Sequence, residues 1–321
     1  MKFLKSLFLL TLAVGNISAK KIKITKCIVK PKTTTTNDVV ATPTNVVENI
    51  QSTEDGQYTI TLGDVSMTVD AAHGGRILSF KLGEDEALNQ YDPENPNSYG
   101  STFWTSPQSE WNWPPVEEYD SKPFAAEVLG DTLALIGQKS SFGYSIRKNF
   151  TTDAKDGAIV VTYSILNESD EVRKVAPWEI SRVPNDGILF FEADAVEEAN
   201  NMNLIPFEFT HGGAWFTMDE DDDFRKINAD GSGWVACSAK GLLFVKKFQD
   251  LTPEEPAPAE AEVQVYANMG KTFVEVEEQG AYTTLQPGES LNYTVRWYLA
   301  HTDLEPVPSK ELLQEVKNLI E

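Results

Sequence analysis

Thr272 to Gln279 reads TFVEVEEQ. Side chains alternate between the two faces of an extended chain, so Glu275, Glu277 and Gln279 share one face and Val274, Val276 and Glu278 the other. Two carboxylates and an amide in a row either meet water or line a cleft in which a carboxylate can move a proton. A second chemical cluster lies far away in the chain. Between Phe103 and Pro115 the segment FWTSPQSEWNWPP sets Trp104, Trp111 and Trp113, three of the seven tryptophans, within ten residues, interleaved with Ser106, Gln108, Glu110 and Asn112. Flat rings beside amides and hydroxyls suit a sugar, whose C–H faces stack while its hydroxyls need hydrogen-bond partners. The competing reading is a satellite core under a long loop, because tryptophan is highly buried on average. Arg76 and Arg182 sit inside otherwise apolar strand patterns, and a buried guanidinium needs a partner. Both are expected to line the cleft, paired with Glu277 or Glu179 or holding ligand hydroxyls. Trp178, beside Glu179, joins the binding candidates. Lys246 shares a strand face with Phe244 and Phe248 and either points into the site or snorkels at an edge.

The elements that must position these groups are overwhelmingly of period two. Tyr58–Leu62, Val65–Val69, Arg76–Leu82, Thr132–Ile136, Tyr144–Phe150, Ala158–Leu166 and Val172–Ile180 alternate or are rich in branched residues. Later candidates are Trp234–Cys237, Leu242–Phe248, Val263–Tyr266, Thr272–Glu277 and Asn292–Leu299. Turn signals such as Leu62-Gly63-Asp64 and Asp156-Gly157 punctuate them. About fourteen strands with almost no helix between them predict antiparallel sheets packed face to face, an all-β fold. The tryptophan segment, with Pro107, Pro114 and Pro115, is expected on a rigid loop, since proline suits neither a helix interior nor a central strand. One helix is predicted after Pro306 and Pro308, capped by Ser309, with Leu312, Leu313, Val316, Leu319 and Ile320 on one face.

The first nineteen residues carry Lys2 and Lys5, an apolar run from Leu7 to Val14 and a small-residue ending at Ser18-Ala19, the pattern of a secretory signal peptide. The run is shorter than the roughly 20 apolar residues that span a bilayer, so no membrane insertion is expected once the signal is removed. A secreted or periplasmic location follows. Residues 20–55 read as a flexible leader, and residues 56–321 as one folded unit. Residues 1–55 hold eight Lys against four Asp or Glu, which leaves −26 of charge on the remainder of a chain whose net charge is −22. That balance argues against nucleic acid, anionic membranes and phosphorylated substrates, and favours a neutral ligand. Two cysteines and three histidines fit no spaced zinc motif, and Asp219–Asp223 lacks the glycine of an EF-hand loop, so it reads as solvated. No metal and no cofactor is expected. The oligomeric state is left open.

Glu277-Glu278-Gln279 followed by Leu285-Gln286-Pro287-Gly288-Glu289 and an aromatic last strand resembles, in order and spacing, the galactose-mutarotase-like superfamily, the aldose 1-epimerases and their relatives. Gly74-Gly75-Arg76-Ile77-Leu78-Ser79-Phe80 and Leu166-Asn167-Glu168-Ser169 are further points of likeness. Together HGGRI, FWTSPQ with WNWPP, APWEISRV and FVEVEEQG are similar to a branch of exported bacterial proteins within that superfamily. The resemblance covers most of residues 57–300. It implies a large antiparallel β-supersandwich with a C-terminal helix and a sugar site on a concave sheet face. There a Glu takes the proton from the anomeric hydroxyl while a His protonates the ring oxygen. By position Glu277 matches the base. The acid is where this chain departs: Ala176 to Arg182, the strand on which the epimerases carry a His, has none, and neither has the Phe103–Pro115 segment. Two substitutes are His73, ahead of the glycines, and Glu179, which with Glu277 would form a carboxylate pair of the kind that serves glycoside hydrolysis. Their plain alternatives are an exposed turn histidine and a salt bridge to Arg76 or Arg182. The expectation is thus an exported protein that binds a neutral saccharide. Either it acts at the anomeric centre through Glu277, or it binds without catalysis, having lost the acid.

Overall fold

The computed structural model describes residues 49–321 except 54, 194–196, 199–203 and 270–271. The expected signal peptide, Cys27 and most of the leader lie outside the described residues. The leader's end is folded: Ile50–Ser52 pairs with Gln57–Leu62, and buried Ile50 faces Ile60. The sandwich therefore starts earlier than residue 56, at a strand too short for its alternation to register.

Among the described residues every strand pair is antiparallel, and the strands form two sheets, one of twelve and one of ten. In the middle of the first, Arg76–Leu82, Ser101–Ser106, Arg173–Pro184, Phe273–Gln279, Val263–Ala267 and Arg225–Ala229 lie side by side in that order. The second runs through Ile188–Phe191, Trp234–Ala239, Leu242–Lys247, Ser290–His301, Ala158–Asn167 and Tyr144–Asp153. Alternation dictates the layering, since a strand buries one face against the facing sheet. Phe103 stacks on Tyr163 of the opposite sheet at 4.0 Å, and Phe80 packs edge-on to Phe244 and Trp297 at 5.6 and 5.3 Å. Burying each such ring contributes roughly 1.5–3 kcal/mol.

The expected strands all form, several extended by one to four residues. One correction concerns the tryptophan segment. Ser101–Ser106 is a wholly buried central strand, and the loop begins only at Pro107, because the first four residues of FWTSP carry no proline. The helix Lys310–Ile320 forms as expected, with Ser309 Oγ accepting from the Leu312 N–H at 3.2 Å. It buries Leu312, Leu313, Val316 and Ile320, and Lys247 Nζ donates to its last carbonyl at 2.7 Å. No helix among the described residues is long and apolar enough to cross a membrane.

Candidate functional site

Register places the candidate residues in cross-strand rows on the face of the twelve-stranded sheet turned away from its partner. Directly paired residues share a face. One row is Trp104, Trp178 and Gln279; the next is Thr102, Ile180, Glu277, Gln264 and Asn228; the third is Arg182, Glu275, Tyr266 and Lys226. Five strands spread from residue 102 to residue 279 thus deliver their polar and aromatic side chains to one surface.

Glu277 sits at its centre, fully buried. The Trp178 Nε1–H donates to its Oε2 at 2.9 Å, and Lys226 Nζ approaches Oε2 at 3.1 Å and Oε1 at 3.3 Å. Burial raises the Glu277 carboxyl above the usual carboxylate range, the Lys226 charge opposes the rise, and neighbouring Glu275 adds to it. Lys226 also stands 4.9 Å from the Trp178 ring centroid. Arg182 binds Glu275 at 3.0 Å and Thr102 Oγ1 at 3.2 Å, with its guanidinium 5.8 Å from the Trp104 ring. Arg76 binds Asp120 Oδ1 at 3.2 Å and the Tyr99 carbonyl at 3.1 Å. Burial and the nearby Arg182 charge depress the Arg76 pKa. Asp120 Oδ1 also accepts from Trp104 Nε1 at 3.1 Å, tying Arg76 to the aromatic cluster.

Trp104 is the hub of that cluster, with Trp178, Trp111 and Trp113 at ring-centroid distances of 5.6, 5.7 and 6.3 Å. Trp111 is anchored through its Nε1 to the Thr105 carbonyl at 2.9 Å. Trp104, Trp111 and Trp178 are buried while Trp113 is 64% exposed. The two readings of the segment therefore divide: three rings form a buried cluster on the outer face, and the fourth is presented to solvent. Gln108 lies at the rim, where its backbone N–H donates to Glu260 Oε1 at 3.0 Å. Glu260 Oε2 accepts from Gln264 at 2.7 Å and Gln279 at 3.1 Å, and Ser106 Oγ donates to Gln279 Oε1 at 2.6 Å.

Three sequence expectations about partners are corrected by register and burial. Glu179 pairs with Glu278, one residue out of step with Glu277, so it faces the opposite sheet. There it accepts from the Tyr163 hydroxyl and pairs with Lys246 at 3.2 Å, so it forms neither a dyad with Glu277 nor a bridge to an arginine. Lys246 neither points into the outer face nor snorkels: it is fully buried between the sheets, bound to Glu278 at 2.6 Å and Ser181 Oγ at 2.9 Å. The two arginines take Glu275 and Asp120 rather than Glu277 or Glu179. His73 stands in an exposed turn, its Nδ1 2.8 Å from Asp70, and His211 and His301 are exposed as well, whereas Glu277 is wholly buried.

The glycines after His73 have a packing reason. Gly74 has φ +68, and a Cβ there would come within 2.1 Å of the Asp120 carbonyl, while Lys148 Nζ donates to the Gly74 and Gly75 carbonyls at 2.7 and 3.0 Å. The turn thereby brings the Asp120 segment against Arg76. His-Gly-Gly occurs a second time in the sequence, at His211–Gly213, where His211 and Gly212 form a two-residue hairpin turn with both φ positive, joining strands that pair Thr210 with Gly213. The two copies do unrelated work.

Sequence reasoning missed Lys226, Asp120, Glu260, Gln264 and Asn228. Two of these have a property that bears on ligands. Gln264 Oε1 and Asn228 Oδ1 are buried acceptors without a hydrogen-bond partner among the described residues, while their amide nitrogens are engaged by Glu260 and the Ala259 carbonyl. Both lie in the Glu277 row. Buried acceptors are normally paired, and an open pair beside a carboxylate suits a ligand that brings hydroxyl donors.

The antiparallel sandwich is similar in fold to solved structures described as galactose mutarotase-like proteins and as a putative aldose 1-epimerase. A galactose mutarotase-like protein from Lactobacillus casei is 11% identical with a TM-score of 0.53, covering 76% of this chain and 100% of its own. A galactose mutarotase related enzyme from Lactobacillus acidophilus is 12% identical with a TM-score of 0.53, covering 78% and 100%. A galactose mutarotase-like protein from Clostridium acetobutylicum is 12% identical with a TM-score of 0.51, covering 77% and 95%. No protein-family model and no curated protein matches the sequence.

Proposed function

We propose that this is an exported protein that binds a neutral saccharide on the outer face of the twelve-stranded sheet, with Glu277 as the group that takes a proton from the anomeric hydroxyl. The observation that carries the binding half is the pair of open, buried acceptors, Gln264 Oε1 and Asn228 Oδ1, in the same row as Glu277 and beside the tryptophan cluster. Sugar hydroxyls are the donors such acceptors lack. The strongly acidic chain and the absence, among the described residues, of any free cation at that face, where Lys226, Arg76 and Arg182 each hold a carboxylate, favour an uncharged ligand. What supports proton transfer is the raised basicity of the buried Glu277, in the direction that brings a carboxylate toward a useful general base at neutral pH. An export signal at residues 1–19 accords with a ligand met outside the cytoplasm.

A second reading, binding without turnover, is favoured by a specific contact. An acid and a base that open a sugar ring stand on opposite sides of the C1–O5 bond, but Lys226, the cation nearest Glu277, touches its carboxylate directly. Anomer interconversion of neutral aldoses, followed by NMR exchange with wild type and Glu277→Gln, separates the two. An enzyme accelerates exchange, and Glu277→Gln abolishes the acceleration while leaving affinity within about tenfold, or ~1.4 kcal/mol. A rate unchanged by added wild type, with saccharide bound, would leave binding alone.

A further inference from the structure

The polar row around Glu277 continues outward. Gln279, two residues along the same strand face and so about 7 Å from Glu277, shares Glu260 Oε2 with Gln264, and the other Glu260 oxygen holds the Gln108 backbone. Beyond this carboxylate opens a depression of about 340 Å³, with Gln108, Asn112 and Trp113 on one side and Pro258, Ala259 and Glu260 on the other. Its size falls in the lower part of the range of about 300–1,000 Å³ typical of small-molecule sites.

We infer that this depression is an outer sugar subsite, so that the ligand is a neutral oligosaccharide of at least two units, one against Glu277 and the next on Trp113. The inference rests on the reading of the inner site given above. Six of the seven tryptophans are less than 9% exposed, but Trp113 is 64% exposed. It is nonetheless positioned, edge-on to Trp104 and between Asn112 and Pro114. An oriented, solvent-facing indole is the platform on which the C–H face of a sugar stacks. Both lips of the depression hold rare backbone conformations, Asn112 at φ +59 and Ala259 at φ +64. A residue with a side chain seldom adopts these, and such outliers gather at ligand sites. The Gln108 and Asn112 amides and the Glu260 carboxylate offer donors and acceptors to hydroxyls, no Lys or Arg among the described residues lines the depression, and Glu260 disfavours an anionic sugar. Two physical links join the subsites: the hydrogen-bonded path through Glu260 to Gln264 and Gln279, and the aromatic path from Trp113 through Trp104 to Trp178, whose N–H binds Glu277.

The test is titration calorimetry with matched mono-, di- and trisaccharides of glucose, galactose, mannose and xylose in α and β linkage, on wild type, Trp113→Ala and Trp113→Phe. In a series that binds, the disaccharide is expected to bind at least about tenfold more tightly than the monosaccharide, with Trp113→Ala erasing most of that gain and Trp113→Phe keeping part of it. Trp113 is exposed, so an unchanged melting temperature verifies that the variants fold. Equal affinity along a series, or a gain that survives Trp113→Ala, overturns the outer subsite and leaves the inner site standing. Failure of every saccharide to bind overturns both.

Discussion

Glu277 is held by two donors, the Trp178 indole and the Lys226 ammonium, and its burial makes each of them matter. Removing the cation leaves a carboxylate in a medium that cannot solvate it, a change that typically costs about 3–5 kcal/mol. Lys226→Met is therefore expected to lower unfolding free energy by about that amount at pH 7. Lys226→Met with Glu277→Gln should recover most of the loss, because the uncompensated charge is gone; urea denaturation of the four-member cycle measures this. A purely additive cycle would contradict the pairing. Glu277 was legible in the sequence because strict alternation in FVEVEEQ assigns its face. Lys226 was not: Arg225–Ala229 is five residues long, follows an acidic run, and buries only Ile227 and Ala229 as apolar members of its inner face, too little pattern to mark a strand. Gln264 and Asn228 were hidden for a similar reason, since an open acceptor is a property of neighbours that only folding brings together.

At the scale of elements, Arg173–Pro184 and Phe273–Gln279 each carry charge on both faces, and the inner face holds the more costly set. Between the sheets, Lys246 serves two carboxylates, Glu179 and Glu278, with the Tyr163 hydroxyl on Glu179 and Ser181 on the lysine. Burial above all, opposed by the Lys246 charge but aided by the adjacent Glu179, raises Glu278 well above its ordinary value of 4.5. The folded state thus holds this proton more tightly than the unfolded chain does. Its stabilising contribution is complete below about pH 4.5 and is lost as pH climbs through the higher folded pKa. Glu278→Gln, which mimics the protonated acid, should flatten that decline above about pH 4.5 in chemical denaturation, whereas Lys246→Met should cost about 3–5 kcal/mol at pH 7 and less as pH falls. A Lys246→Met loss that grows on acidification would show the cluster to be wired differently. Period two made the inward direction of Glu278 readable, but not its partner. A lysine between two phenylalanines on a strand suits an edge as well as a core, and only the facing sheet decides.

For the molecule as a whole, the all-β architecture, nearly all of the long strands and the C-terminal helix were written in alternation, turn residues and the Ser309 cap. What escaped were the short strands and the partition of the tryptophan segment between a central strand and a loop, where the position of the first proline mattered more than the number of prolines. The convergence of Trp104, Trp111, Trp113, Trp178, Arg76, Arg182 and Glu277 on one sheet face is a long-range property that local pattern could suggest only through resemblance. Whether this face receives a neutral saccharide is decided by thermal melting against a broad panel of neutral glycans. At about 100 times its dissociation constant a bound sugar contributes about 2.7 kcal/mol, a rise of roughly 5–10 °C for a domain of this size. At least one neutral glycan is predicted to give such a rise in wild type, and Asn228→Ala or Gln264→Ala is predicted to diminish it. A panel in which no glycan moves the melting temperature, or in which the rise is indifferent to both variants, would contradict the claim.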